Sequence, residues 1–177
     1  NLGGSWGAHL KFAGYDGIVV HGKSEKPVYL FLHDGIAEIR DASCLWGKGS
    51  IGVRGILKGE LGKATRVVAS GPAGDNMVIS ASLLADNDSS GSSGFGAVMG
   101  SKKLKAIAVA GSRKVTVANR EKLRELTSYV RELRRGATEE EESEASSKKK
   151  MELCYGCING CIRAVYQADN GKQGKFM

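Results

Sequence analysis

The sequence predicts an α+β fold: a β-rich N-terminal domain with short helices, then a surface helix and a truncated cysteine-bearing segment. Three observations predict it. Short β-branched and aromatic runs alternate with glycine turns through residues 1–118. Glycine is abundant (25 of 177 residues) and proline scarce (2), the composition of a turn-rich, strand-containing chain. Beyond Gly111 the texture changes to leucines at helical spacing, then blocks of charge, then three cysteines within eight residues.

In chain order, Gly3-Gly4-Ser5-Trp6-Gly7 is a flexible start, and Ala8 to Ala13 has room for a turn or two of helix. Gly14-Tyr15-Asp16-Gly17 signals a turn, and Ile18-Val19-Val20 reads as a short strand stopped by Gly22. Val28 to Leu32, an Asp34-Gly35 turn and Ala37 to Ile39 form a predicted hairpin, because Asp-Gly between β-branched and aromatic residues suits a two-residue loop. His9, His21 and His33 share no metal-ligand spacing and read as surface or turn histidines. Ile51 to Leu61 is expected to be a helix weakened by three glycines, and Cys44 a small buried hydrophobe. Arg66 to Ala69 and Ala106 to Ala110 are expected strands, and Gly71-Pro72-Ala73-Gly74 a turn.

Between the last two strands lies Asp88 to Lys105, with Gly91, Gly94, Gly96 and Gly100 interleaved with serines and followed by Lys102, Lys103 and Lys105. A loop of free N–H groups and hydroxyls backed by cations can cradle a phosphate-bearing ligand. A solvated Gly/Ser loop before an edge strand explains the same residues. The spacing of a Walker loop is absent.

Glu121 to Arg135 places Leu123, Leu126, Val130 and Leu133 on one helical face, which predicts a surface helix packing on something. Residues 137–150 carry charge blocks without apolar periodicity and are expected to be a linker. The segment 151–177 then holds Cys154, Cys157 and Cys161 in a Cys-x2-Cys-x3-Cys array. Three thiolates so spaced, with a fourth ligand from elsewhere, suit a [4Fe-4S] cluster. Zinc sites more often bring a second Cys or His pair, and none follows here.

The net charge of +7 suits an anionic partner, but the cations are spread out and not interleaved with aromatics, which argues against nucleic acid. No apolar run approaches the ~20 residues of a membrane span. The lopsided cysteines suit a reducing compartment, hence a cytoplasmic protein, and the start at Asn1-Leu2-Gly3-Gly4 suggests an N-terminally cut chain.

Several runs occur in a telling order: Gly3-Gly4-x-x-Gly7-x-x-Leu10-Lys11-Phe12-Ala13-Gly14-Tyr15-Asp16, Gly22-Lys23, Lys26-Pro27-Val28-Tyr29, Glu38 to Ala42 and Leu45-Trp46-Gly47. Gly71 to Asn76, Gly94-x-Gly96-Ala97-Val98-Met99-Gly100-Ser101-Lys102 and Leu104 to Ile107 follow. Together with the cysteine array they resemble the tungsten-containing aldehyde:ferredoxin oxidoreductase family. The resemblance implies a tungstopterin-binding domain over 1–118, lacking its upstream part, then the amphipathic helix over 119–136. Its implied cofactors are a tungsten (or molybdenum) bis-pyranopterin and a [4Fe-4S] cluster. The implied activity is oxidation of aldehydes to carboxylates, with electrons passing through the cluster to ferredoxin or another electron-transfer subunit. Asn1, Gly3, Asp88, Ser89 and Gly91 fall at pterin-contacting positions, and Cys154, Cys157 and Cys161 at three of four cluster ligands.

The chain departs from the family at Asp88 and Ser92, where arginines are usual, and its charged linker stands in place of family segments before the cysteines. No catalytic acid or base is legible. The expectation is therefore a fragment, or a decayed or internally deleted copy, inactive alone; a homodimer is also open. Two other readings remain at this stage: a benzoyl-coenzyme-A-reductase-type subunit of the same family, and a non-catalytic iron–sulfur or structural remnant.

Overall fold

The computed structural model describes residues 2–86, 89–137, 149–152, 155–157, 161–167 and 173–176. The chain divides into two compact units, Asn1–Val115 and Thr116–Met177. The first contains a six-stranded mixed sheet in the order β2-β1-β6-β3-β4-β5, built from β1 (Val28–His33), β2 (Ile36–Asp41), β3 (Arg66–Ser70), β4 (Leu83–Leu84), β5 (Ser90–Gly91) and β6 (Leu104–Ala110). Four helices accompany it: α1 (Trp6–Phe12), α2 (Ser50–Leu61), α3 (Pro72–Asp75) and α4 (Phe95–Ser101). This is the α+β class that the sequence predicts.

The hairpin forms where Asp34 and Gly35 both take positive φ (46° and 87°), as the favoured two-residue turn requires. β1 pairs antiparallel with β2 and parallel with β6, which in turn pairs antiparallel with β3. Strand side chains alternate between faces, so the sheet buries two layers. Tyr29, Phe31, Val67, Ala69, Ala106 and Ala108 face α2 through Val53 and Leu57. Leu32 and Val109 face α1 through Leu10, with Trp6, Tyr15, Ile18, Leu30 and Ile107 half-buried around them.

Helix α2 forms despite Gly52, Gly55 and Gly59. Each glycine costs about 0.5–1 kcal/mol against alanine. Val53 and Leu57 are fully buried, and burying such side chains stabilises by about 1.5–3 kcal/mol each. Packing therefore outweighs propensity.

Three local expectations are corrected. Residues 18–20 form no strand: Val19 is 82% exposed and the segment has no ladder partner among the described residues. Residues 95–101, expected as loop, form α4, because Gly74 and Gly100 let α3 and α4 approach until a methyl on Gly100 would sit 1.8 Å from the Gly74 carbonyl oxygen. Cys44 is exposed, since the 3-10 turn Ser43–Leu45 turns Leu45 into the core in its place.

The second unit begins with α5 (Arg120–Ala137), whose Leu123, Leu126, Tyr129 and Leu133 remain about half exposed. It also holds a three-stranded antiparallel sheet, β7 (Lys149–Glu152), β8 (Cys161–Gln167) and β9 (Gln173–Phe176), with β8 central. Lys149 and Lys150, expected in the linker, thus open a strand; most of that linker (138–148) lies outside the described residues. Among the described residues no helix is long and apolar enough to cross a membrane.

Candidate functional site

Two turns distant in sequence meet at the α1 side of the sheet. Gly4, at φ 78°, precedes α1 so closely that a Cβ there would lie 2.8 Å from Ser89 Oγ and 3.0 Å from the Asp86 carbonyl oxygen. Only glycine tolerates both the left-handed backbone and the contact. Gly3 is exposed beside it, Ser89 is half-buried, and Gly91 is buried in β5, paired with Leu83. The structure therefore brings Gly3 and Gly4 to Ser89, with Gly91 just beyond; Asn1 and Asp88 lie outside the described residues.

This seam is fastened from behind by cations. Arg54 donates through Nη1 to the Ala85 carbonyl, and Lys58, one turn later on α2, pairs with Asp86 Oδ1. The other Asp86 oxygen accepts the Val67 N–H at 2.9 Å, so this carboxylate, only 4% exposed, is neutralised and satisfied on both sides. Arg66, opening β3, donates through Nε to Ser5 Oγ at 3.0 Å and through Nη1 to the Ala64 carbonyl at 3.2 Å. Glycine amides, the hydroxyls of Ser5 and Ser89, and a guanidinium make a donor set that fits a phosphate-bearing ligand.

The glycine–lysine cradle expected over 88–105 is built differently. Gly94, Gly96 and Gly100 face the chain's own backbone: a Cβ would meet the Ile79 carbonyl oxygen at 2.5 Å, the Ala81 side chain and carbonyl oxygen at 2.9 Å, and Gly74 respectively. Lys102 Nζ donates to the Gly22 carbonyl at 3.0 Å and Lys103 Nζ to the Glu25 carbonyl at 2.5 Å. Lys105, fully buried, pairs with Asp75 Oδ2 at 2.5 Å and donates to the Lys48 carbonyl at 2.9 Å, 5.7 Å above the Trp46 ring. These lysines close loops. The cations at the seam are Arg54, Lys58 and Arg66, which sequence reasoning did not single out. Arg54 and Lys58 stand four apart on one face of a predicted helix; that spacing was the available signal.

Of the cysteine array, Cys154 lies outside the described residues, Cys157 is exposed in the turn after Gly156 (φ 76°), and Cys161 opens β8 opposite Glu152. Three thiols in one short run remain a donor set suited to a soft metal centre.

The α+β sheet domain closes two glycine turns beside arginine and lysine side chains, a set of groups whose chemistry suits an anionic ligand. The chain belongs to the aldehyde ferredoxin oxidoreductase family: the profile of that family's N-terminal domain matches residues 1–111. The tungsten-containing aldehyde ferredoxin oxidoreductase of Thermococcus kodakarensis is 53% identical over 124 residues, covering 69% of this chain and 20% of the relative. That of Pyrococcus furiosus is 52% identical over 124 residues with the same coverage. The WOR-like subunit of an aliphatic sulfonate oxidoreductase of Pyrococcus furiosus is 39% identical over 125 residues, 63% of this chain and 20% of the relative. Among solved structures, the active-site complex BamBC of benzoyl coenzyme A reductase with 1,5-dienoyl-CoA superposes with a TM-score of 0.76 at 41% identity, covering 82% of this chain and 22% of that one. The chain spans about a fifth of the length of these relatives.

Proposed function

We propose that this chain forms the pterin-bearing part of an oxidoreductase that oxidises aldehydes to carboxylates and delivers the electrons to ferredoxin, in the cytoplasm. One observation carries it: the stretch that matches the N-terminal domain of the aldehyde ferredoxin oxidoreductases, residues 1–111, includes both turns that meet at the Gly4–Ser89 seam. A tungsten bis-pyranopterin, when bound, would supply the two-electron oxidation. Gly3, Ser89 and Gly91, with Asn1 and Asp88, would contact its pterins. Asp86, balanced by Lys58, keeps a carboxylate at the seam from repelling its phosphates. Cys154, Cys157 and Cys161 would supply three ligands of a [4Fe-4S] cluster, with the fourth from outside the array.

A second reading, a benzoyl-coenzyme-A-reductase-type subunit, is favoured by the likeness to the BamBC complex. Both readings need the same cofactor, because the shared residues are scaffold.

Metal analysis of the anaerobically purified chain tests the first reading. Tungsten or molybdenum together with about four irons per cluster is expected; iron without either would reduce the chain to an electron-transfer remnant, and no metal would reject both. Cys157→Ser is expected to abolish the broad visible absorbance of a cluster, and an unchanged spectrum would remove Cys157 from the ligand set. Reduction of ferredoxin by an aldehyde supports the first reading, and oxidation of reduced ferredoxin by an aryl-CoA ester supports the second, so the two assays separate the enzymatic readings in the full-length protein.

A further inference from the structure

We propose that Arg66 is an oxyanion-binding residue, whose guanidinium takes a phosphate group of the pyranopterin at the Gly4–Ser89 seam; this rests on the tungstopterin reading above. Arg66 is the first residue of β3, and because Val67 and Ala69 face α2, its side chain belongs to the opposite face, where α1 and the seam lie. Its Nε is held by Ser5 Oγ, one residue after Gly4, and its Nη1 by the Ala64 carbonyl. Among the described residues Nη2 has no acceptor, so the outer edge of the fork keeps N–H groups to offer.

A half-buried guanidinium ordinarily finds a carboxylate. Here the nearby candidate, Asp86, is already occupied by Lys58 and the Val67 N–H, and the two acceptors that Arg66 does use are neutral. Among the described residues its charge therefore meets no carboxylate, and it stands beside two turns that carry glycine and serine donors. A planar fork fixed at one edge by a hydroxyl presents the other edge in a defined direction, which suits the tetrahedral oxygens of a phosphate better than a flexible ammonium does. Sequence position alone would not suggest this, since Arg66 and Ser5 are 61 residues apart.

The test is calorimetric titration of the whole chain with inorganic pyrophosphate. Arg66→Gln is expected to weaken binding about tenfold or more, as loss of a charge-assisted hydrogen bond should. Arg66→Lys should lie between, and Ser5→Ala, which keeps the charge but removes the hydroxyl that holds Nε, should lose about two- to threefold by freeing the fork. Exposed Lys114→Gln is the control and should leave binding unchanged. Wild-type binding should also weaken with salt. Equal affinities for wild type and Arg66→Gln, or no wild-type binding at millimolar pyrophosphate, overturn the proposal. Should Arg66→Gln fail to fold, Arg66→Lys and Ser5→Ala decide alone, and wild-type affinity in both overturns it. Pterin released from the purified proteins and measured by fluorescence separates the two readings. Equal pterin in wild type and Arg66→Gln sinks the role of Arg66 while the cofactor stands. Pyrophosphate binding lost in Arg66→Gln, with no pterin in either, keeps the oxyanion site and sinks the cofactor.

Discussion

Lys105 shows how a single side chain is decided by its surroundings. The pairing of β1 with β6 slips by one residue between Val28 and Tyr29, so Leu104 and Ala106 oppose consecutive residues and Lys105 is the extra one. A bulge of this kind re-aims a side chain. Here it sends the ammonium into a fully buried pair with Asp75, whose Oδ2 also accepts the Gly47 N–H at 2.8 Å. Removing one partner of a buried pair strands the other charge, so Lys105→Met is expected to cost about 3–5 kcal/mol in denaturant unfolding. Adding Asp75→Leu to that variant should recover part of the loss, and a double variant less stable than Lys105→Met would contradict the pairing argument. Glycines divide just as sharply. Gly100→Ala pushes a methyl into the Gly74 carbonyl and should destabilise by about 1–3 kcal/mol or more. Gly55→Ala, with nothing within 4 Å, should stabilise α2 by about 0.5–1 kcal/mol. The two glycines look alike in the sequence; only the distance across α3 and α4 tells them apart.

At the scale of elements, the β1–β2 hairpin was the most legible because its turn chemistry is local. It also carries a charge cluster with a pH signature. The His33 ring hydrogen-bonds Glu38 Oε1 at 2.9 Å and Arg40 donates to Glu38 Oε2 at 2.7 Å; these partners hold the Glu38 carboxyl below its ordinary range. The Ser43 hydroxyl, then its N–H, lowers Asp41 likewise. A carboxyl whose folded pKa is depressed contributes stability that is present above its unfolded pKa and lost as pH falls through the folded value. The unfolding midpoint should therefore hold on the neutral side and decline once pH drops below the ordinary 4.5 of Glu and 3.8 of Asp. Glu38→Gln with Asp41→Asn should flatten that acid limb, and an unchanged limb would show that these pairs do not couple to folding. The run 18–20 misled for the opposite reason: three apolar residues meet the pattern of a strand, but strand formation needs a neighbour, and β1 already pairs with β2 and β6. Helix α4 misled as well, because the run of glycines predicts a loop until the close packing of Gly96 against Ala81 and of Gly100 against α3 is known.

For the whole molecule, the two units raise separate questions. The first presents the seam, the second the thiols, and the metal content and Cys157→Ser spectrum proposed above interrogate them independently. Loss of the cluster without loss of pterin would indicate that the sites load separately. By itself the sequence determined the α+β class, the hairpin, helices α2 and α5, the spacing of the three cysteines and the family, because each rests on residues within a few positions of one another or on ordered runs of them. Only the tertiary structure decided which glycines approach Ser89 and which approach another helix, and that Arg54, Lys58 and Arg66, not the lysines after the glycine loop, stand at the seam. Those assignments depend on contacts far apart in the chain, as in Arg54 with Ala85, 31 residues away, and Arg66 with Ser5, 61 residues away. A cation's role is set by the acceptor that reaches it first in space, and no local pattern encodes that.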